Sequence, residues 1–168
     1  MNASKCLSEF NRIMKENDKI YRNAAKAVGL SYCSFWILYA LRNTQELLTQ
    51  SEICYETYLP KQTVNSALKK LEHENYIELL NINDRKSKQI RLTEKGAALA
   101  EKTVDTIVLS EQRSFYGLST EEQETFLHLF QKYTDLLHVN TQTLTDSSLE
   151  DNSLLSVTER SKNDHTII

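Results

Sequence analysis

Residues 60–96 place a polar-faced helix directly before two short strands joined by a basic loop, and few folds accommodate that order. Pro60 suits the first turn of a helix, where its missing N–H costs nothing. Val64, Ala67, Leu68 and Leu71 then recur at three- and four-residue steps and predict one apolar face. At about 100° per residue the opposite side carries Gln62, Asn65, Ser66 and Lys69, with Thr63 and Lys70 near its edge. No acid follows Lys61 until Glu72. Tyr76 to Leu80 and Gln89 to Thr93 read as two strands around Arg85, Lys86, Ser87 and Lys88. A two-residue turn would join such strands. The longer loop instead carries cations away from the body of the protein.

The flanking segments are helical. Only three glycines and one proline occur, which argues against a turn-rich β fold. Leu7, Phe10, Ile13, Ile20, Tyr21 and Ala24 predict an amphipathic helix over about 4–28, stopped by Gly29. Ser31 caps a second helix over about 32–43, whose broad apolar face marks it as central. Thr49-Gln50-Ser51-Glu52 fits a capping box that opens a short helix to about Tyr58. Thr93 caps a long helix to about 113. A second capping box, Ser119 to Glu122, opens another to about 138. The expected fold is mostly α with a small β-hairpin wing, an α+β arrangement. A winged helix-turn-helix core is flanked by N- and C-terminal dimerisation helices. Its expected parts are a dimerisation helix (1–30), a DNA-binding domain (31–96), C-terminal dimerisation helices (97–140) and a polar, acidic, flexible tail (141–168).

Charge follows the same division. The tail holds two bases against five acids, which accounts for the whole net charge of −3. Residues 60–95 hold eight bases against five acids, so the basic excess is local to the helix and loop. Gln and Asn pair with adenine edges, and Ser or Thr with either kind of edge. Lysines suit phosphates, and Arg85, held by Asp84, suits a narrow minor groove. Lys61, Gln62, Thr63, Asn65, Ser66, Lys69, Lys70, Arg85, Lys86, Ser87 and Lys88 are therefore the candidate contacts to double-stranded DNA. Each feature alone also describes an ordinary solvated surface; a polar helix followed at once by a basic hairpin is the specific signal.

The block "LPKQTVNSALKKLEHENYIELLNINDRKSKQIRLTEKG" resembles the DNA-binding core of the multiple-antibiotic-resistance regulator (MarR) family. The matching motifs are Lys69-Lys70-Leu71-Glu72, Asp84-Arg85-Lys86-Ser87 and Leu92-Thr93-Glu94-Lys95-Gly96. The resemblance extends over about 5–138 in element order and is specific over 59–96. It departs at Asn75, where the family usually has glycine; asparagine tolerates a left-handed conformation. The resemblance implies an obligate homodimer on a pseudo-palindromic operator, usually a repressor responsive to a ligand or to oxidation. It places a small-molecule pocket near Tyr21, Tyr32, Phe35, Trp36 and Tyr39, where apolar walls with hydroxyls suit a small aromatic or acyl ligand. Each of these aromatics also has an ordinary role as core.

The terminal helices carry Val104, Ile107, Val108, Phe115, Phe126, Leu127, Leu129, Phe130, Tyr133, Leu136 and Leu137, which call for a partner surface. The expected function is a homodimeric, sequence-specific transcriptional repressor released by a small molecule. Two alternatives are a thiol-based redox sensor and a protein-binding winged helix without DNA. Cys6 lies near the start of the first helix, while Cys33 and Cys54 read as buried. The cysteines have no metal spacing, and the four histidines are scattered, so no metal and no cofactor are implied. No GxSxG, HExxH, CxxC or glycine-rich phosphate loop occurs, and no enzyme is expected. MNASKCLSEF lacks a signal-peptide core and no apolar run spans a bilayer, so a cytoplasmic protein with reduced thiols and no membrane contact is expected.

Overall fold

The computed structural model describes residues 2–44, 46–81 and 87–162, with side chains as far as residue 142. The chain divides into two compact units, residues 1–113 and 114–168. The first unit begins with α1 (Ala3–Ala27), α2 (Tyr32–Asn43), β1 (Leu48–Thr49), α3 (Gln50–Thr57) and α4 (Lys61–His73). It continues through β2 (Ile77–Leu80), β3 (Gln89–Leu92), α5 (Glu94–Ala100), a π-helical turn (Glu101–Asp105) and α6 (Thr106–Tyr116), which crosses the unit boundary. The second holds α7 (Thr120–Lys162). Among the described residues no single helix is long and apolar enough to cross a membrane.

Local chemistry explains the boundaries. Gly29 takes φ 73° and ends α1, a conformation open to glycine at no steric cost. Ser31 Oγ accepts from the Ser34 amide at 3.0 Å and starts α2. Thr49 and Glu52 form the reciprocal capping box of α3. That helix ends at Tyr58, whose left-handed φ of 52° turns the chain sharply into α4. Asn75, at φ 59°, makes the equivalent turn into β2, as expected of an asparagine in the place of a glycine.

Helix α2 is the centre of the first unit. It buries Cys33, Ser34, Phe35, Ile37, Leu38 and Leu41, and packs against α3, α4 and β3. Ile53 of α3, the α4 face Val64, Ala67, Leu68 and Leu71, and the strand residues Ile77 and Ile90 complete the core. Every apolar α4 position expected to face inward does so.

Four features differ from the sequence reading. Strand β1 pairs antiparallel with β3 (Leu48 opposite Ile90), so the two-stranded hairpin is the larger part of a three-stranded sheet ordered β1-β3-β2. The helix from residue 94 contains the π-helical turn. Val104 is fully buried in the chain's own core and needs no partner surface, while Ile107 and Val108 are half-buried against that core. Finally, α7 runs to Lys162, well beyond the stop expected near residue 138. No glycine or proline follows Gly117, so nothing in residues 141–162 breaks a helix once it has begun.

Candidate nucleic-acid interface

Burial of one side of α4 fixes what the other side presents. Lys61, Gln62, Thr63, Ser66, Lys69 and Lys70 are exposed and Asn65 is half-buried. A groove forms between this helix, the amino end of α3 and the β2–β3 hairpin. Lys61, Asn65, Leu68, Lys69 and Glu72 line one wall, Thr49, Gln50 and Ser51 a second, and Leu79, Ser87, Lys88 and Ile90 the third. The structure therefore gathers five candidate residues, Lys61, Asn65, Lys69, Ser87 and Lys88, around one depression. Gln62, Thr63, Ser66 and Lys70 lie outside its lining. Arg85 and Lys86, with Asp84 beside them, fall outside the described residues.

Hydrogen bonding refines the roles. Ser66 Oγ donates to the Gln62 carbonyl at 3.0 Å, leaving its lone pairs to accept from a ligand. Lys70 Nζ stands 3.8 Å from Glu74 Oε1, whereas among the described residues no ion pair engages Lys61, Lys69 or Lys88. Arg91 reaches across the hairpin to Glu78 at 2.6 Å and is committed to holding β2 against β3. Pro60 offers no side-chain cap, so the first amides of α4 point outward beside Lys61. Sequence reasoning missed Gln50 and Ser51. Gln50 Nε2 donates to the Lys61 carbonyl at 3.3 Å and so braces the start of α4. The capping box beginning at Thr49 was the available signal, since it puts both residues in the first turn of α3, where Ser51 is exposed and Gln50 half-buried.

The base of the hairpin is rigidly keyed to α5. Thr93 Oγ1 donates to the Asn75 carbonyl at 2.7 Å, and Lys95 Nζ donates to the Glu74 carbonyl at 2.8 Å while lying 4.4 Å from the centre of the Tyr76 ring. Gly96 passes so near the Tyr76 carbonyl that a Cβ would overlap its oxygen.

The five aromatic candidates for a ligand site also come together. Trp36 packs on Tyr21, Tyr32, Phe35 and Tyr39 with ring centres 5.0–6.0 Å apart. Phe35 is wholly buried, while the other four are half-buried. Tyr21 and Tyr39 hydroxyls donate to the two oxygens of Glu111 at 2.7 and 2.8 Å, tying α6 to α1 and α2. Burial, followed by the hydrogen bond to Glu111, pushes the Tyr39 phenol up to about 12 and raises that of Tyr21 still further. Tyr32 donates to Asp18 at 2.7 Å.

The cysteines are free thiols. Cys33 is buried, and that burial pushes its thiol up, away from the reactive thiolate. Cys54, expected to be buried, is half-buried, because it stands on α3 one position beyond the core residue Ile53. Cys6 is also half-buried.

Comparison with known proteins agrees with this geometry. A MarR family model matches residues 28–87. A helix-turn-helix type transcriptional regulator from Bacillus cereus, itself uncharacterised, is 30% identical over 123 residues, covering 72% of this chain and 81% of that protein. Among solved structures, a MarR family regulator from Neisseria meningitidis superposes with a TM-score of 0.65 at 27% identity, over 88% of this chain and 99% of that one. MepR from Staphylococcus aureus, in complex with DNA, superposes with a TM-score of 0.65 at 25% identity, over 76% and 93% of the two chains.

Proposed function

This chain belongs to the MarR family of DNA-binding winged helix-turn-helix transcriptional regulators, and from that premise we propose that it is a homodimeric repressor released from a pseudo-palindromic operator by a small-molecule ligand. The observation that carries the DNA contact is the groove joining α4 to the wing, with Lys61, Lys69 and Lys88 around Asn65 and Ser87. Asn65 and Gln62 read base edges, Ser66 and Thr63 accept or donate beside them, and the lysines, with the α4 amides, hold phosphates. Lys70, exposed on the same helix, adds to the cationic surface, and Arg85 and Lys86 are the further candidate contacts by sequence. The solved complex of MepR with DNA supports this reading.

Exposed apolar faces support the dimer. Leu7, Ile13, Met14 and Ile20 are exposed on α1, and Phe126, Leu127, Leu129, Phe130, Leu136 and Leu137 on α7. Contiguous apolar surface of this kind marks an interaction site. Ligand release is placed at the aromatic cluster of Tyr21, Tyr32, Phe35, Trp36 and Tyr39, whose half-buried rings adjoin the core helix α2 and suit a small aromatic or acyl ligand.

A gel-shift titration with the region upstream of the protein's own gene, run at two salt concentrations, tests the reading. A sequence-specific complex that weakens steeply with salt is expected, since each neutralised phosphate releases counterions. Binding that is absent, or equal for unrelated DNA, would contradict it.

A further inference from the structure

We propose that a pocket between the carboxyl ends of α2 and α3 takes an organic cation with an apolar body, which makes such a cation the class of ligand to which the regulator responds. The regulatory half of this statement rests on the ligand-release reading above; the binding half does not. The pocket has a volume of about 330 Å³, and Trp36, Tyr39, Asn43, Leu48, Glu56 and Thr57 form most of its wall. It shares Trp36 and Tyr39 with the aromatic cluster, and its remaining walls come from the end of α2, from β1 and from α3.

The one charged side chain of the wall, Glu56, and the two helix ends that meet there share a negative sign. Both α2 and α3 end here, at Asn43 and Thr57, and the carboxyl end of a helix carries partial negative charge on carbonyls without intrahelical partners. Glu56 stands in the last turn of α3, where a carboxylate is disfavoured and where no basic residue accompanies it. No ion pair engages Glu56 among the described residues. The one base in the last turn of α2, Arg42, is spent on Asp105, to which it donates from Nε at 2.9 Å and from Nη2 at 2.7 Å. The Thr57 hydroxyl donates to the Ile53 carbonyl at 2.6 Å, so it too offers the pocket lone pairs. Among the described residues no lysine, arginine or histidine lines the cavity, so none of them offers an anionic ligand a counter-charge there.

The aromatic wall has the matching chemistry. The rings of Trp36 and Tyr39 lie 5.0 Å apart, inclined at 58°, and form a notch rather than a flat stack. A cation in such a notch lies within reach of two negative ring faces, tryptophan being the best of these. The Tyr39 hydroxyl donates to the Glu111 carboxylate, which enriches its ring in electron density and holds it in place. Leu48 and Ala40 supply apolar surface for the body of the ligand.

Trp36 is the sole tryptophan, so its fluorescence reports on the pocket directly. The full-length protein is titrated at constant ionic strength with benzyltrimethylammonium, with benzoate as the anion of similar size and with benzyl alcohol as the neutral one. The expected result is a saturable change with the ammonium ion at an affinity at least about tenfold higher than for benzoate. Glu56→Gln is expected to weaken the ammonium ion about tenfold and to leave benzoate no weaker. Glu56 is exposed, so this variant folds, and an unchanged melting temperature verifies it. A benzoate affinity equal to or above that of the ammonium ion, the lack of a saturable response to the ammonium ion, or ammonium binding unaltered by Glu56→Gln would each overturn the assignment. A parallel operator-binding assay separates the two readings. Saturable ammonium binding without loss of operator affinity upholds the pocket's cation preference and removes the release mechanism. Release by benzoate without ammonium binding does the reverse.

Discussion

Leu68 and Asn65 sit three positions apart on α4 and divide its work. Leu68 is 6% exposed beneath the groove, and Leu68→Ala is expected to cost about 2–5 kcal/mol of folding stability. Asn65→Ala removes a half-buried polar side chain that makes no hydrogen bond among the described residues, so its melting temperature should stay close to wild type. Denaturant melts of the two variants check the contrast. Gly96 shows the opposite economy, in which absence of a side chain is the function. Gly96→Ala forces a methyl group onto the Tyr76 carbonyl, a clash expected to cost about 1–3 kcal/mol and to disturb the base of the wing. The glycine that closes the motif Leu92-Thr93-Glu94-Lys95-Gly96 thus has a packing reason. Tyr39 carries a pH dependence. Its folded-state pKa, near 12, exceeds the ordinary value of about 10, so its contribution is intact below pH ~10 and is lost as pH rises through 12. Alkaline melts should show that loss. In ultraviolet titration Tyr21 and Tyr39 should ionise late, and Tyr39→Phe should remove one late step. The lack of any late-ionising phenol removed by Tyr39→Phe would exclude the Glu111 contact in solution.

Among the elements, the capped helices were the most legible. Thr49 with Glu52, Ser119 with Glu122, and Ser31 each start a helix where their side chains can satisfy free amides. The α4 face was legible for the same kind of reason, because helical spacing alone separates Val64, Ala67, Leu68 and Leu71 from Asn65 and Lys69. Strand β1 was not, because two residues carry no alternation and Leu48–Thr49 becomes a strand only through its pairing with β3. The π-helical turn at Glu101–Asp105 inserts within an unbroken apolar pattern and leaves no mark in composition. The extension of α7 was misread because polar composition outweighed the lack of any helix breaker. In the candidate site, the α3 wall went unseen because Gln50 and Ser51 reach the groove only through tertiary packing. A prediction belongs to the wing. Lys88→Ala should lower affinity for all DNA sequences alike and reduce the salt slope by about one. Quantitative shift assays across a salt series measure both, and an unchanged slope would detach the wing from phosphate.

At the scale of the whole molecule, the proposed dimer is the cover for the apolar residues exposed on α1 and for those exposed on α7. Phe126 and Phe130 stack with centres 5.8 Å apart and planes inclined by only 5°, a flat aromatic surface about half-exposed to solvent. Phe130→Glu places a charge on it and should turn a dimer into monomer or aggregate, as sedimentation would show. A two-fold dimer sets its two α4 helices about one turn of DNA apart, roughly 34 Å, so the operator should repeat its half-site with the same symmetry. Base reading by α4 in a dimer is tested by binding-site selection from random duplexes with wild type and Asn65→Ala at matched salt. The expected result is a pseudo-palindromic site for wild type whose half-sites lie about one helical turn apart, with preference relaxed by Asn65→Ala at the same base position in both halves. Identical preferred sequences for the two proteins, or a site without two-fold symmetry, would contradict base reading by this helix face in a dimer.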